Sequence, residues 1–395
     1  MSLLKRKNKE EKKKVDVIVQ ENQQECINLV ENGFLADAFI KESVTDVSYN
    51  GTSFYIQDND VGRYRYDIDT TSEEVLIFIK KIANYMLQPF STLTPSLDVS
   101  FGNYRLNAIH PNLARNDTNK VVTFSLRRIT ATLKIKDNDP ILCSKEVHYL
   151  LKSLMQSYQS VLISGQTGSG KTEFQKYLIS LMNEKDRIIM IEESYETHVK
   201  EIFKDRDITS WIVNNNKDEL SFFVKTALRN NPEWIIVAET RGKEAYDMIQ
   251  AVMTGHSAIT TIHSDSAKYS LNRLTSLCKR SVDFDEKVMF SNIANHIKIG
   301  IHLERIFDEI LGKYIRRISE IVEYIPNNTG FETNTIYEII KDENLKEKII
   351  YRPISNHLKN KLIKHNIKVK TLTKFYKEVK ISEKKKSKWH YSNFN

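Results

Sequence analysis

One stretch, Ser160–Thr172, limits what this chain can fold into more than any other. Ser160-Val-Leu-Ile-Ser164 is a short apolar, β-branched run that suits a buried strand. Gly165-Gln166-Thr167-Gly168-Ser169-Gly170-Lys171-Thr172 follows at once and fits G-x-x-x-x-G-K-[ST]. Phe174, Tyr177, Leu178, Leu181 and Met182 then recur at helical spacing. A strand, a glycine-rich turn and a helix in that order predict a phosphate loop. The glycines let backbone N–H groups point inward, and the helix N-terminus adds a positive dipole end. In such a loop Lys171 reaches the outer phosphates and the Thr172 hydroxyl binds Mg2+. A chance match in a Gly-rich turn would lack the flanking strand and helix.

The residues downstream alternate strand and helix. Ile188-Ile-Met-Ile191 is an apolar strand ending at Glu192-Glu193. Leu220, Phe223, Val224, Ala227 and Leu228 mark a helix that stops at Asn230-Asn231-Pro232. Trp234–Ala238 is a strand ending at Glu239, Ala245–Met253 a helix closed by Gly255, and Ala258–Ile262 a strand ending at His263. This pattern predicts an α/β fold: a parallel sheet with helical crossovers. The carboxyl ends of such strands share the edge where ligands bind. The phosphate loop, Glu192, Glu239 and His263 are therefore expected to converge. Glu239, after an apolar strand, is placed to hold Mg2+ directly or through water. Glu192 is placed to orient or deprotonate a water, against a surface salt bridge as the plainer alternative. For His263 a phosphate contact and a satisfied core histidine stand nearly level.

Upstream, residues 15–140 read as a smaller α+β domain. A helix is expected near 21–42, then a hairpin with its turn at Asn50-Gly51. Thr71-x-x-Glu74 is a capping-box pattern that opens a second helix, and strands are expected around Leu97–Phe101, Tyr104–Ala108 and Val121–Leu126. Asp137-Asn-Asp-Pro140 reads as a linker. The expected division is a basic disordered tail over 1–14, the α+β domain over 15–140, an α/β core with the phosphate loop over 141–330 and a basic extension over 331–395.

Charge is unevenly placed. The net charge of +8 divides into +5 over residues 1–14, +10 over 356–395 and −7 between them. An acidic body argues against a nucleic-acid channel, so direct nucleic-acid binding is not expected. Basic tails invite contact with anionic lipid, although a solvated helix capping the core explains the apolar residues of 356–395 equally well. Cys26, Cys143 and Cys278 lie far apart, which excludes a C-x-x-C zinc site and fits a reducing compartment. No apolar run approaches the ~20 residues of a membrane span, and the N-terminus lacks the apolar segment of a signal peptide.

Taken together, four motifs resemble the secretion or traffic ATPases that power type II secretion, type IV secretion and type IV pili. They are Gly165–Thr172, Ile191-Glu192-Glu193, Leu228-Arg229-x-x-Pro232-Glu233 leading to Ala238-Glu239-Thr-Arg241, and Thr254-Gly255-His256 with Thr260-Thr261-Ile262-His263. Two positions depart from the family pattern: its acidic box usually reads Glu-Asp, and Gly usually stands where Ala238 does. The resemblance covers roughly 40–325 and lies nearest the type IV secretion and Tad-pilus branch. It implies a RecA-like P-loop core, ATP and Mg2+ as cofactors, and a homo-hexameric ring with ATP between the two domains. It also implies that Arg105 and Arg127 reach the phosphates from the amino-terminal domain, with Arg128 an equally placed alternative to Arg127. The implied protein is cytoplasmic, peripheral to the cytoplasmic membrane, and serves inner-membrane components of a secretion, conjugation or pilus-assembly machine. A RecA-like DNA translocase and a nucleotide-gated scaffold with little turnover are the alternatives.

Overall fold

The computed structural model describes residues 19–213 and 217–376; the expected tail over 1–14 lies outside them. The chain divides into two compact units. One runs to Ala131 and includes Phe307–Tyr314; the other holds Thr132–Ile306 and resumes at Ile315.

The first unit is one antiparallel sheet covered by helices. Helix α1 (19–31) ends at Asn32-Gly33, so it is shorter than the expected 21–42. Glycine there ends the helix because it has the poorest helical propensity of the non-proline residues. The remainder of the expected helix is a short 3-10 turn, Asp37–Phe39. Strands β1 (Val44–Tyr49), β2 (Phe54–Asp58) and β3 (Gly62–Tyr66) precede helix α2 (Ser72–Tyr85). Strands β4 (Ser96–Phe101), β5 (Tyr104–Ile109) and β6 (Thr123–Arg128) follow it. The sheet order is β3-β2-β1-β6-β5-β4. The capping box forms: Thr71 Oγ1 accepts from the Glu74 N–H at 3.2 Å, and Glu74 Oε2 accepts from the Thr71 N–H at 2.7 Å. Val75, Ile79 and Ile82 of α2 join Cys26 and Val30 of α1 in a core with Val47, Leu106 and Leu126. The strand expected over Val121–Leu126 starts two residues later and so extends through Arg127 and Arg128.

The second unit is a nine-stranded sheet with helices on both faces. In chain order it contains α3 (Lys145–Gln156), β7 (Ser160–Gly165), α4 (Lys171–Ser180), β8 (Ile188–Glu192), α5 (Val199–Ile202), β9 (Ile208–Ile212), α6 (Lys217–Ala227), β10 (Trp234–Val237), α7 (Glu244–Met253), β11 (Ser257–Ile262), α8 (Ala267–Cys278) and α9 (Glu286–His296). Then come β12 (Ile297–Asp308), β13 (Lys313–Asn327), β14 (Gly330–Lys341), β15 (Glu347–Tyr351), α10 (Asn356–Lys364) and α11 (Thr373–Tyr376). The order is β15-β14-β13-β12-β7-β11-β10-β8-β9, and the block from β12 to β9 is parallel. The alternation of each strand divides its side chains between two cores. Val161 and Ile163 face α3, α4 and α10, while Leu162 faces α6–α9.

Residues beyond 330 are built into this sheet. β14 pairs with β13 and β15 with β14. Leu358, Leu362, Leu372 and Phe375 are buried in the same core as Val147 and Leu151 of α3. These four apolar residues of the basic segment therefore pack into the α/β unit. Residues 377–395 lie outside the described residues.

Candidate nucleotide site

Because β7, β11, β10 and β8 are parallel neighbours, their carboxyl ends lie on one edge, and the loops that leave them meet there. The turn after β7 is forced by glycine. Gly170 has φ of +91°, and a Cβ on Gly165 would stand 2.5 Å from Leu303 O. Helix α4 starts at Lys171 with no side-chain cap, so its first N–H groups face the loop. The Lys171 ammonium is buried and donates to the Gly165 and Gln166 carbonyls at 2.8 and 3.0 Å. Burial pushes it below the usual lysine range, against the pull of Glu239. The Ser169 hydroxyl is buried with no protein hydrogen-bond partner. A left-handed glycine cradle, an uncapped helix start and an orphaned hydroxyl are what an anion of several oxygens would complete, so these residues fit a nucleotide phosphate chain.

Glu239 stands at the centre of the charges beside this loop. Its Oε2 accepts from Arg241 Nη2 at 2.6 Å, and its Oε1 lies 3.1 Å from His263 Nε2. Burial alone would raise this carboxyl; Arg241, His263 and Lys171 outweigh it and hold it below the usual carboxylate range. Burial, with Lys171 beside it, pushes His263 down, which favours the neutral ring. Arg241 also reaches Glu193 at 3.2 Å. A pocket of about 400 Å³ opens alongside, lined by Gly165, Gln166, His263, Asp265, Tyr269 and Arg273 among others.

Glu192 is arranged differently. Only 1% exposed, it accepts from the Thr197 N–H and hydroxyl and from the Glu196 N–H. Burial pushes its carboxyl up, opposed by the Thr197 hydrogen bonds. Its two oxygens thus fasten the turn after β8, and the carboxylates nearer solvent are Glu193, 53% exposed, and the half-buried Glu196. Both add negative charge around Arg241. Glu196 was invisible to the strand-end argument because it lies beyond the strand, in a turn whose shape depends on Thr197.

A family model described as type II/IV secretion system protein matches residues 115–311, a span that holds every side chain just described. The chain belongs to the type II/IV secretion system protein family. Several relatives are type IV secretion system proteins. An uncharacterized Bacillus anthracis protein is 35% identical over 294 residues, covering 72% of this chain and 66% of that protein, just under two thirds of its length. The type IV secretion system protein VirB11 of Bartonella henselae is 27% identical over 303 residues, covering 67% of this chain and 79% of VirB11. The X-ray structure of the Yersinia pseudotuberculosis ATPase DotB shares the fold with a TM-score of 0.57 at 16% identity, covering 73% of this chain and 77% of that one.

The two amino-terminal arginines that the resemblance singled out, Arg105 and Arg127, lie in the first unit. Arg105 and Arg127 are direct cross-strand partners on β5 and β6, so they share one face of the sheet. Arg105 pairs with Asp98 at 3.3 Å and Arg127 with Asp46 at 2.7 Å. Arg128 points the other way and donates to the carbonyls of Phe39, Lys41 and Val44. Its guanidinium is thus held by backbone carbonyls, whereas that of Arg127 meets the Asp46 carboxylate.

Two further arginines, absent from the sequence reading, come from β12 and β13. Arg316 Nε donates to Gly168 O at 3.0 Å, and a Cβ on Gly168 would lie 3.7 Å from Arg305 Nη1. The neighbouring Arg317 turns away to Glu304 and Glu347, each at 2.6 Å. Strand alternation separates the two adjacent arginines, but only the register of β13 tells which one faces the loop.

Proposed function

We propose that this chain hydrolyses ATP with Mg2+ and, as a hexameric ring, drives a type IV secretion, conjugation or pilus-assembly machine. One observation carries the reading: Lys171, Glu239, Arg241 and His263, separated in sequence, meet beside a glycine cradle at one sheet edge.

Each residue has a chemical task in this reading. The backbone N–H groups of Gly165–Thr172 and the Lys171 ammonium hold the phosphates. ATP supplies the phosphoanhydride bond, and Mg2+ would be held by the Thr172 hydroxyl with Glu239 directly or through water. Among the described residues no group of three or more His, Cys, Asp or Glu is arranged to hold a metal by itself. A cation held by Thr172 and Glu239 would take its remaining oxygen ligands from the nucleotide and water. Arg241 keeps Glu239 ionised, and His263 stands beside Glu239, near enough to the loop for a phosphate contact. Proton acceptance from water needs a carboxylate with access to solvent. Glu193 and Glu196 meet that need, and Glu192 acts by ordering their turn. Arg105 and Arg127, adjacent on one sheet face, supply the cationic charge of the amino-terminal domain.

The ring, the machine and a location at the cytoplasmic membrane rest on kinship with type IV secretion proteins. Among the described residues no helix is long and apolar enough to cross a membrane, so recruitment through membrane components is the expected route. The test is to measure ATPase rate and particle mass together, with Mg2+ or with excess chelator. Turnover that requires Mg2+ and rises with a hexamer-sized species supports the proposal. Turnover by monomers, or none by the hexamer, contradicts it.

A further inference from the structure

The charges already assigned lie on the β11, β10 and β8 side of the phosphate loop. The opposite side, toward β12 and β13, also presents charge. Arg305 lies two residues beyond Leu303 on β12, and Leu303 pairs with Gly165 at the start of the loop. Arg316 lies on β13, which neighbours β12. Its Nε donates to Gly168 O at 3.0 Å, and its Cδ would be 3.1 Å from a Cβ on Gly170. Two guanidinium groups are thus held against the Gly168–Gly170 turn by sheet strands, which are stiffer supports than loops.

We propose that Arg305 and Arg316 bind the diphosphate common to ADP and ATP, flanking it from the side opposite Glu239. Several features point this way. A guanidinium offers five N–H donors in a plane, so Arg316 can keep its Nε on Gly168 O while its terminal nitrogens face phosphate oxygens. The glycine positions leave no side chain between these groups and the cradle. The adjacent Arg317 is committed to Glu304 and Glu347 on the other face, so it cannot replace Arg316. Three positive groups then surround the loop from two directions, which suits an anion of several charges better than Lys171 alone. This inference rests on the nucleotide reading of the loop.

The test measures ADP and inorganic pyrophosphate affinity of the full chain by calorimetry. Arg316→Ala and Arg305→Ala should each weaken both ligands about tenfold, the scale of losing one charge-assisted contact. Arg316→Lys keeps the charge but not the planar fork and should recover part of the loss. Arg317→Ala should lower the melting temperature yet leave both affinities unchanged. If the wild type binds neither ligand, the nucleotide reading itself fails. If the wild type binds both and the Arg305 and Arg316 variants match it, this inference alone fails. Equal loss in Arg316→Lys and Arg316→Ala also overturns it, since the residue would then be only a brace for Gly168. If Arg316→Ala also lowers the melting temperature, the two affinities of Arg305→Ala decide.

Discussion

Thr197 closes off Glu192: its hydroxyl donates to Glu192 Oε2 at 2.7 Å and its N–H to Oε1 at 2.9 Å. A buried carboxylate held in this way belongs to the architecture of its turn. Thr197→Val keeps the shape and removes one donor, leaving a buried carboxylate oxygen unsatisfied. The expected cost is ~1–3 kcal/mol, read as a lower urea midpoint. An unchanged midpoint would mean that this hydrogen bond does not order the turn.

Glu239 is the side chain on which the charges converge. Glu239→Gln should still bind ATP and turn it over roughly a hundredfold more slowly, on the scale of losing a general base or its metal-held equivalent. Its depressed pKa has a sign that can be checked. The carboxylate stays ionised below the usual range, so turnover should persist as pH falls to that range. In Arg241→Ala, burial is no longer opposed by the guanidinium, and the acid limb of the rate profile should move to higher pH. A limb that stays in place would remove Glu239 as the titrating group.

Lys298 opens a pH prediction away from the site. It is 3% exposed; burial first, then Lys361, pushes its ammonium down to about 8, while Glu323 opposes them. Between about 8 and its ordinary 10.5, the unfolded chain binds more protons than the folded chain, so its contribution to stability rises with pH. Lys298→Met should therefore raise the melting temperature at pH 7, with the advantage shrinking toward pH ~10. An advantage constant across that window would show that titration of Lys298 is not involved.

The carboxyl-terminal segment makes two separable predictions. Leu362 is fully buried between α10 and the sheet, and Leu362→Ala should cost ~2–5 kcal/mol. Truncation at Pro353 would remove Leu358, Leu362 and Phe375 from the core, so a membrane test should instead remove only 377–395. If basic residues there supply anionic-lipid attraction, vesicle binding should fall with salt and with that shorter truncation. Equal binding by the truncated chain would assign recruitment to a protein partner.

Much of the second unit was legible because its strands are short apolar runs with carboxylates or histidine at their ends. Glu239 and His263 were found by that registry, and their 3.1 Å approach follows from β10 and β11 being parallel neighbours. Glu192 fell at the same edge for a different reason: its oxygens cap a turn, and a strand-end position cannot distinguish the two. The basic residues after 355 hid a core contribution because Leu358 and Leu362 are spaced like any amphipathic helix. Only the packing partners Val147 and Leu151, two hundred residues earlier in the chain, show which surface they cover. Which of Arg127 and Arg128 shares a sheet face with Arg105 was likewise a matter of register, visible in the pairing of Arg105 with Arg127.

The central claim is that the Gly165–Thr172 cradle handles ATP, and Lys171→Ala tests it most directly. The ammonium is buried against the Gly165 and Gln166 carbonyls, and no other side-chain cation comes from within the loop itself. The measurement is Mg2+-dependent phosphate release by the folded, full-length variant beside the wild type. The account predicts turnover in the wild type and its abolition in Lys171→Ala with an unchanged melting temperature in the absence of nucleotide. Wild-type-like turnover by the variant would contradict it.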